Sequence, residues 1–345
     1  MLEAKKIVES YTGRPLRIME VCGTHTHEIF RLGIRKILPE NLKLISGPGC
    51  PVCVTPVGYI DKAIQLALME NTIICTFGDL IRVPGTETSL AGARSKGAEL
   101  RTVYSPMDAL KLAKENPEKQ VIFLSVGFET TVPGACLAVK KAKKNGIGNF
   151  SILTANKTMP MAYNALQSSA DAFLFPGHVS VITGTKLYEE LREKGVSGVV
   201  AGFTAEEVLT ALAVIVQESQ KGKPFFRNCY PAVVKPEGNP LAVQVTNEVM
   251  EPCDSEWRGL GVIPASGLKL RKDFEEFDSE IRFQLPQTEG RGNPACRCGE
   301  ILRGDCCPKD CPLFGKVCTP LHPVGACMVS GEGACSAFYQ YGGEF

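Results

Sequence analysis

The sequence predicts an α/β fold: two similar parallel-sheet domains facing a central cleft, followed by a small cysteine-rich domain. Three observations carry that expectation. Short β-branched apolar runs alternate with helical stretches from residue 15 to about 220, the pattern of parallel sheets with crossover helices. The chemically unusual residues of this half fall just beyond the ends of predicted strands, where open α/β sheets form their ligand crevices. Eight of the 15 cysteines crowd between residues 296 and 335.

In chain order, strands are predicted over residues 16–21, 42–46, 72–76, 100–104, 121–126, 150–154, 172–175 and 198–201. Most are continuous apolar runs, as strands covered on both faces should be. Helices are predicted over 28–37, 59–70, 106–115, 133–145 and 206–220. Because motif-bearing loops recur in both halves, two smaller sheets are preferred to one of eight strands, with the split near Asn116-Pro117-Glu118. This gives domains over 1–117 and 118–222. Beyond residue 222, Pro, Gly and charge break the pattern, as in KPEGNP (235–240) and PASG (264–267). Residues 223–345 are assigned to a connecting segment and a C-terminal iron–sulfur domain, with the cluster region over 290–345.

Composition bounds the function. The 38 basic and 37 acidic residues nearly cancel, so nothing marks a nucleic-acid or membrane surface. No apolar run reaches membrane-spanning length, and MLEAKK lacks the apolar core of a signal peptide. The expectation is a cytoplasmic protein, in which dense cysteines signal metal or redox chemistry rather than a disulfide framework.

The predicted strand ends carry four motifs. Cys22-Gly23-Thr24-His25-Thr26-His27 offers a thiol with imidazoles three and five residues on, a set able to chelate iron or zinc. A helix starting near His27 would lower the thiol's pKa. The alternative is a buried cysteine with two capping histidines. Cys50-Pro51-Val52-Cys53 has the spacing of a redox-active dithiol. Glu129-Thr130-Thr131 supplies acid/base and hydroxyl groups, or a helix cap. His178 follows the seventh strand, as a site residue or a structural one. Cys75, Cys136, Cys229 and Cys253 read as small apolar residues.

The eight tail cysteines lack the paired spacing of zinc ribbons and the tight run of bacterial ferredoxins. They point to a cluster site without choosing its ligands, and the surplus suits a neighbouring dithiol. No phosphate-binding glycine motif is present.

MEVCGTHTHEIFR (19–31), SGPGCPVCVTP (46–56), SVGFETT (125–131), FPGHVS (175–180) and the tail CGEILRG…CPLFGKVCTPLHPVGACMVSGEGAC together resemble the HypD family, maturation factors of [NiFe]-hydrogenases. The resemblance spans nearly the whole chain. It implies two α/β domains around a cleft plus a [4Fe–4S] domain. It further implies a scaffold that, with a HypC-type small chaperone, holds a mononuclear iron as cargo. There the Fe(CN)2CO unit of the hydrogenase large subunit is built, with cyanide from a HypE-type donor. Carried over by motif, Cys22 is the iron-holding thiolate, with His27 and its neighbour His25 as further ligand candidates, and Cys50 and Cys53 are the redox pair. The family's cluster pattern falls on Cys296, Cys311, Cys318 and Cys335, leaving Cys298 and Cys327 as an adjacent dithiol or disulfide. Cys306 and Cys307 lie in a variable stretch of that pattern. Glu129 and His178 are expected to orient ligands or move protons. An assembly scaffold is expected rather than an independent turnover enzyme. The competing readings are a disulfide reductase using Cys50/Cys53 and a zinc-dependent lyase or hydrolase at the Cys22 loop.

Overall fold

The computed structural model describes residues 2–342. All eight predicted strands form: β1 (Leu16–Glu20), β2 (Leu42–Ser46), β3 (Thr72–Thr76), β4 (Glu99–Thr102), β5 (Gln120–Gly127), β6 (Phe150–Asn156), β7 (Ala172–Pro176) and β8 (Gly198–Ala201). They build two parallel sheets, one ordered β4-β3-β5-β6, the other β2-β1-β7-β8 and extended by β9 (Phe226–Asn228).

The sheets do not divide at residues 117/118. The chain lays down β1 and β2, leaves to build the whole second sheet from β3 to β6, then returns. There β7 pairs with β1 in the register Ile18↔Ala172, Met19↔Phe173, Glu20↔Leu174. The reason is that local pattern identifies a doubly covered strand but carries nothing about its neighbour.

Both sheets are covered on their two faces. The helices Leu2–Glu9 and Ala205–Ser219 bury Val8, Val208 and Leu212 with Ile18 and Leu174 of the first sheet. The second of these helices starts at Thr204, whose hydroxyl accepts from the Glu207 N–H at 3.3 Å while Glu207 accepts from the Thr204 N–H at 2.9 Å, a reciprocal cap. In the second sheet Ile74, Ile122 and Leu124 fill one face, and Val121, Phe123 and Ile152 the other.

The region read as irregular contains an antiparallel hairpin, β10 (Met250–Trp257) and β11 (Gly261–Leu270). Its prolines, Pro252 and Pro264, are tolerated because a two-stranded ribbon consists only of edges. The hairpin inserts the fully buried Trp257 against Phe128, with ring centroids 5.9 Å apart. It also receives the buried Lys157, whose Nζ donates to Ser255 Oγ at 2.8 Å and to the Glu256 carbonyl at 2.6 Å. The cysteine-rich module docks on the helix Gly23–Arg31 through its own helix Ala334–Tyr341, with Phe30 and Phe338 edge to face at 5.6 Å. Among the described residues no helix is long and apolar enough to cross a membrane.

Candidate metal centre and thiol chain

Cys22 ends β1 as the N-cap of the helix Gly23–Arg31. Two glycines let the surrounding loops close on it. A Cβ on Gly49 would lie 2.1 Å from the Cys22 nitrogen, and one on Gly23 would lie 2.5 Å from the Glu332 Cβ. The Gly23 N–H donates to the Gly49 carbonyl at 3.0 Å, locking the first two motif loops together. The Cys22 sulfur is buried and lies 3.9 Å from both ring nitrogens of His178. The expected lowering of its pKa is reversed. Burial pushes the thiol up to about 12, outweighing hydrogen bonds from the His25 and Thr24 backbone, and the Glu332 charge adds to the rise. Desolvation acts on the whole thiolate, whereas the helix end offers only partial charge.

The other histidines are engaged elsewhere. His25 is fully buried. Its Nε2 donates to the Gly202 carbonyl at 2.8 Å, its Nδ1 has no partner, and burial lowers its pKa to about 4. His27 Nδ1 donates to the Gly331 carbonyl at 3.2 Å, and its ring meets Tyr341 edge-on at 5.3 Å. Both histidines lie inside the helix, which begins five residues before the predicted 28, and helical residues two apart do not face each other. Cys22, His25 and His27 are therefore not gathered. Among the described residues no three His, Cys, Asp or Glu side chains are arranged around a metal position. The imidazole beside Cys22 comes instead from the start of the helix Gly177–Thr183 that follows β7, with Phe203 packed on the rings of both His25 and His178.

The fourth loop reaches the same place from the second sheet. Glu129 Oε1 accepts from the Met159 N–H at 2.8 Å, while Oε2 is buried without a partner, and burial raises the carboxyl pKa to about 7. Tyr163 lies within electrostatic reach of both Glu129 and Cys22. It is fully buried, its hydroxyl is unpartnered, and it feels the charges of both residues. Neither Tyr163 nor Glu332 was marked by the sequence. Tyr163 sits within an ordinary helix, Met159–Ala165, and Glu332 in a Gly-rich turn. Glu332 closes the pocket from the module, its Oε1 accepting from Thr24 Oγ1 at 2.7 Å.

A second feature begins at Cys50 and Cys53, both buried, with the Cys53 N–H on the Cys50 sulfur at 3.4 Å. Cys53 also meets the sulfur of Cys327, which in turn bonds to Cys298 and Cys335. Cys298 lies 3.3 Å from the Cys296 sulfur. The thiols thus form one line from the Cys50 loop into the module. Hydrogen bonds from Cys298, Cys335 and Cys53 favour the thiolate of Cys327, whereas Cys53 and Cys335 are pushed up by the same contacts. Cys318 accepts from the Val324 N–H at 3.4 Å, and Cys311 reaches the Ala295 carbonyl at 3.9 Å. Cys296, Cys311, Cys318 and Cys335 share one apolar core with Cys50 and Cys53. Gly325 is bare against the module's sulfurs, since a Cβ there would lie 2.5 Å from Cys298 Sγ and 2.7 Å from Cys296 Sγ. This soft, enclosed donor set fits an iron–sulfur cluster. Cys306 is half-buried and Cys307 exposed, and all 15 cysteines are free.

The fold and site define a two-sheet α/β protein whose strand-end loops enclose one thiol–imidazole pair, joined by contacting thiols to a cysteine-rich module. The profile of the HypD family, described as the hydrogenase formation hypA family, matches residues 2–342. The chain is 44% identical over 353 residues to hydrogenase maturation factor HypD of Azotobacter vinelandii, covering 99% of this chain and 93% of that protein. It is 47% identical over 341 residues to the HypD of Escherichia coli K12, covering 96% and 91%. A putative hydrogenase expression/formation protein of Methanocaldococcus jannaschii is 45% identical over 330 residues, covering 94% and 92%. The chain belongs to the HypD family of hydrogenase maturation factors.

Proposed function

We propose that the chain is a cytoplasmic scaffold on which the Fe(CN)2CO unit of a [NiFe]-hydrogenase large subunit is assembled. Iron is the cargo, bound by the thiolate of Cys22 and by a thiolate of a HypC-type chaperone, and cyanide arrives from a HypE-type donor. The observation that carries this reading is the single buried Cys22 sulfur 3.9 Å from both nitrogens of His178, in a pocket entered by residues of both sheets and of the module.

The chemistry follows from the side chains. A thiol held at about pKa 12 by burial keeps its proton until a cation replaces it. His178, whose pKa is lowered by burial, can take that proton at its unprotonated ring nitrogen, both nitrogens lying 3.9 Å from the sulfur. Soft thiolate ligation suits an iron that accepts cyanide. Glu129, with a pKa near 7, can hold or release a proton at its unpartnered Oε2. Cys296, Cys311, Cys318 and Cys335 would hold a [4Fe–4S] cluster, which supplies one-electron chemistry when bound. Cys298/Cys327 and Cys50/Cys53 each release two electrons and two protons on closing to a disulfide, and their mutual contact permits exchange between the pairs.

The test is the infrared spectrum of the anaerobically purified complex with a HypC-type partner. Cys22→Ala should abolish the iron–cyanide and iron–carbonyl bands, and unchanged bands would overturn the placement. A disulfide reductase is favoured by the thiol line alone. It is disfavoured by the burial of Cys53, only 1% exposed, which keeps a substrate disulfide from the pair. Turnover of a protein disulfide without the chaperone would reverse that preference.

A further inference from the structure

Between the loop after β3 and the cysteine-rich module lies an open groove of about 690 Å³. Three arginines line it, Arg82, Arg258 and Arg291, against one acidic residue, Glu87. The guanidinium groups of Arg82 and Arg258 are tied to backbone carbonyls. Arg82 donates to the carbonyls of Pro320 and Val329, each at 2.9 Å. The Arg258 N–H donates to the Val54 carbonyl at 2.9 Å, beside the Cys50/Cys53 turn. The Arg291 N–H donates to Thr86 Oγ1 at 2.8 Å, leaving its guanidinium exposed.

The groove backs onto the thiols. Arg258 acts electrostatically on Cys296, and the Val324 N–H on the groove wall bonds the Cys318 sulfur. At its rim stands Leu321, 84% exposed. A positive patch around an uncovered apolar anchor fits a macromolecular partner better than a small anion, which an open groove would leave half in water.

We propose that this groove docks an acidic one-electron carrier protein that serves the module. The proposal rests on the cluster reading above and adds the partner and its landing site. On delivery the carrier is oxidised by one electron and the module reduced by one, with no bond made or broken. Two deliveries with two protons open one disulfide of the thiol line.

The test is calorimetric titration of the intact protein with an oxidised acidic plant-type ferredoxin, so that binding is read without turnover. Binding should weaken about tenfold between low and physiological salt. Arg291→Glu should weaken it about tenfold, Arg291→Gln about threefold and Leu321→Ala about threefold, with circular dichroism unchanged. Absence of binding, or affinity indifferent to both Arg291 variants, overturns the proposal. So does complete competition by inorganic phosphate at constant ionic strength, which would make this a small-anion site. Iron and acid-labile sulfide are assayed on the same sample. Their absence overturns the cluster reading, while the titration separately decides the docking surface.

Discussion

Cys22 and Cys327 are both buried, yet the protein treats them in opposite ways. Around Cys22 there is one imidazole and a weak helix end, so desolvation prevails and the thiol keeps its proton up to about pH 12. Around Cys327, the sulfurs of Cys298, Cys335 and Cys53 converge, and their hydrogen bonds hold its pKa well below the usual thiol value. Burial alone therefore does not decide the chemistry of a cysteine; the number of donors that reach it does. Cys75 and Cys136 make the same point from the second sheet. Burial pushes both to about 12, but no imidazole or thiol contact marks them as more than small apolar residues.

The largest test of this contrast is alkylation of the metal-free, reduced protein. A rise from 9.0 to about 12 leaves the Cys22 thiolate about a thousandfold scarcer than in an ordinary thiol, a difference of about 4 kcal/mol. Peptide mapping after iodoacetamide near pH 8 should find Cys22 unmodified long after the exposed Cys307 has reacted. Equal rates would remove the desolvation argument. Next in size is Gly49→Ala. Its Cβ would meet backbone atoms of Cys22 and Val21 at 2.1 to 2.5 Å, which cannot turn aside, and a loss of about 3 kcal/mol in urea unfolding is expected. Gly331→Ala, with nothing within 4 Å, is the neutral control.

Glu129 sharpens the comparison on the carboxylate side. Its folded pKa of about 7 lies above the unfolded 4.5, so the folded state binds the proton more tightly. Stability therefore falls as pH rises from about 4.5 to about 7, by about 3 kcal/mol, and is flat beyond. Glu129→Gln should match the parent near pH 4 and exceed it by that amount near pH 8 in urea midpoints. A parallel pH profile in the variant would show that the carboxylate is hydrated.

Much of this was legible before the structure. Eight of the nine strands of the two sheets announce themselves because strands covered on both faces read as continuous apolar runs. Of the motif segments, the Gly49 loop and His178 reach Cys22 directly. What local pattern could not supply was the company each element keeps. The pairing of β1 with β7 spans some 150 residues of chain, and nothing in Leu16–Glu20 names that neighbour. The hairpin β10–β11 was hidden by Pro252, Pro264 and its glycines, which punctuate a ribbon as readily as a loop. The same limit explains the histidines. CGTHTH suggests a chelate only until the helix turns His25 toward Gly202 and His27 toward Gly331. His178 then takes the place beside the thiol.

The smallest expected effect tests whether the two thiol regions are coupled. Glu332 belongs to the module but accepts the Thr24 hydroxyl at 2.7 Å inside the Cys22 loop, and its charge raises the pKa of both Cys22 and His178. Replacing Glu332 by Gln keeps an acceptor and removes the charge, so the Cys22 thiolate becomes easier to form and alkylation should speed up a few-fold. Combined with Thr24→Val in a double-mutant cycle, Glu332→Ala should give a coupling of about 1.5 kcal/mol in unfolding free energy, the size of one hydrogen bond to a charged group. A coupling near zero with unchanged alkylation would make the module a passive neighbour of the pocket. The predicted coupling instead gives ordering of the module a direct route to the acidity of the Cys22 thiol, since the carboxylate that ties the module to Thr24 is the one that repels the thiolate.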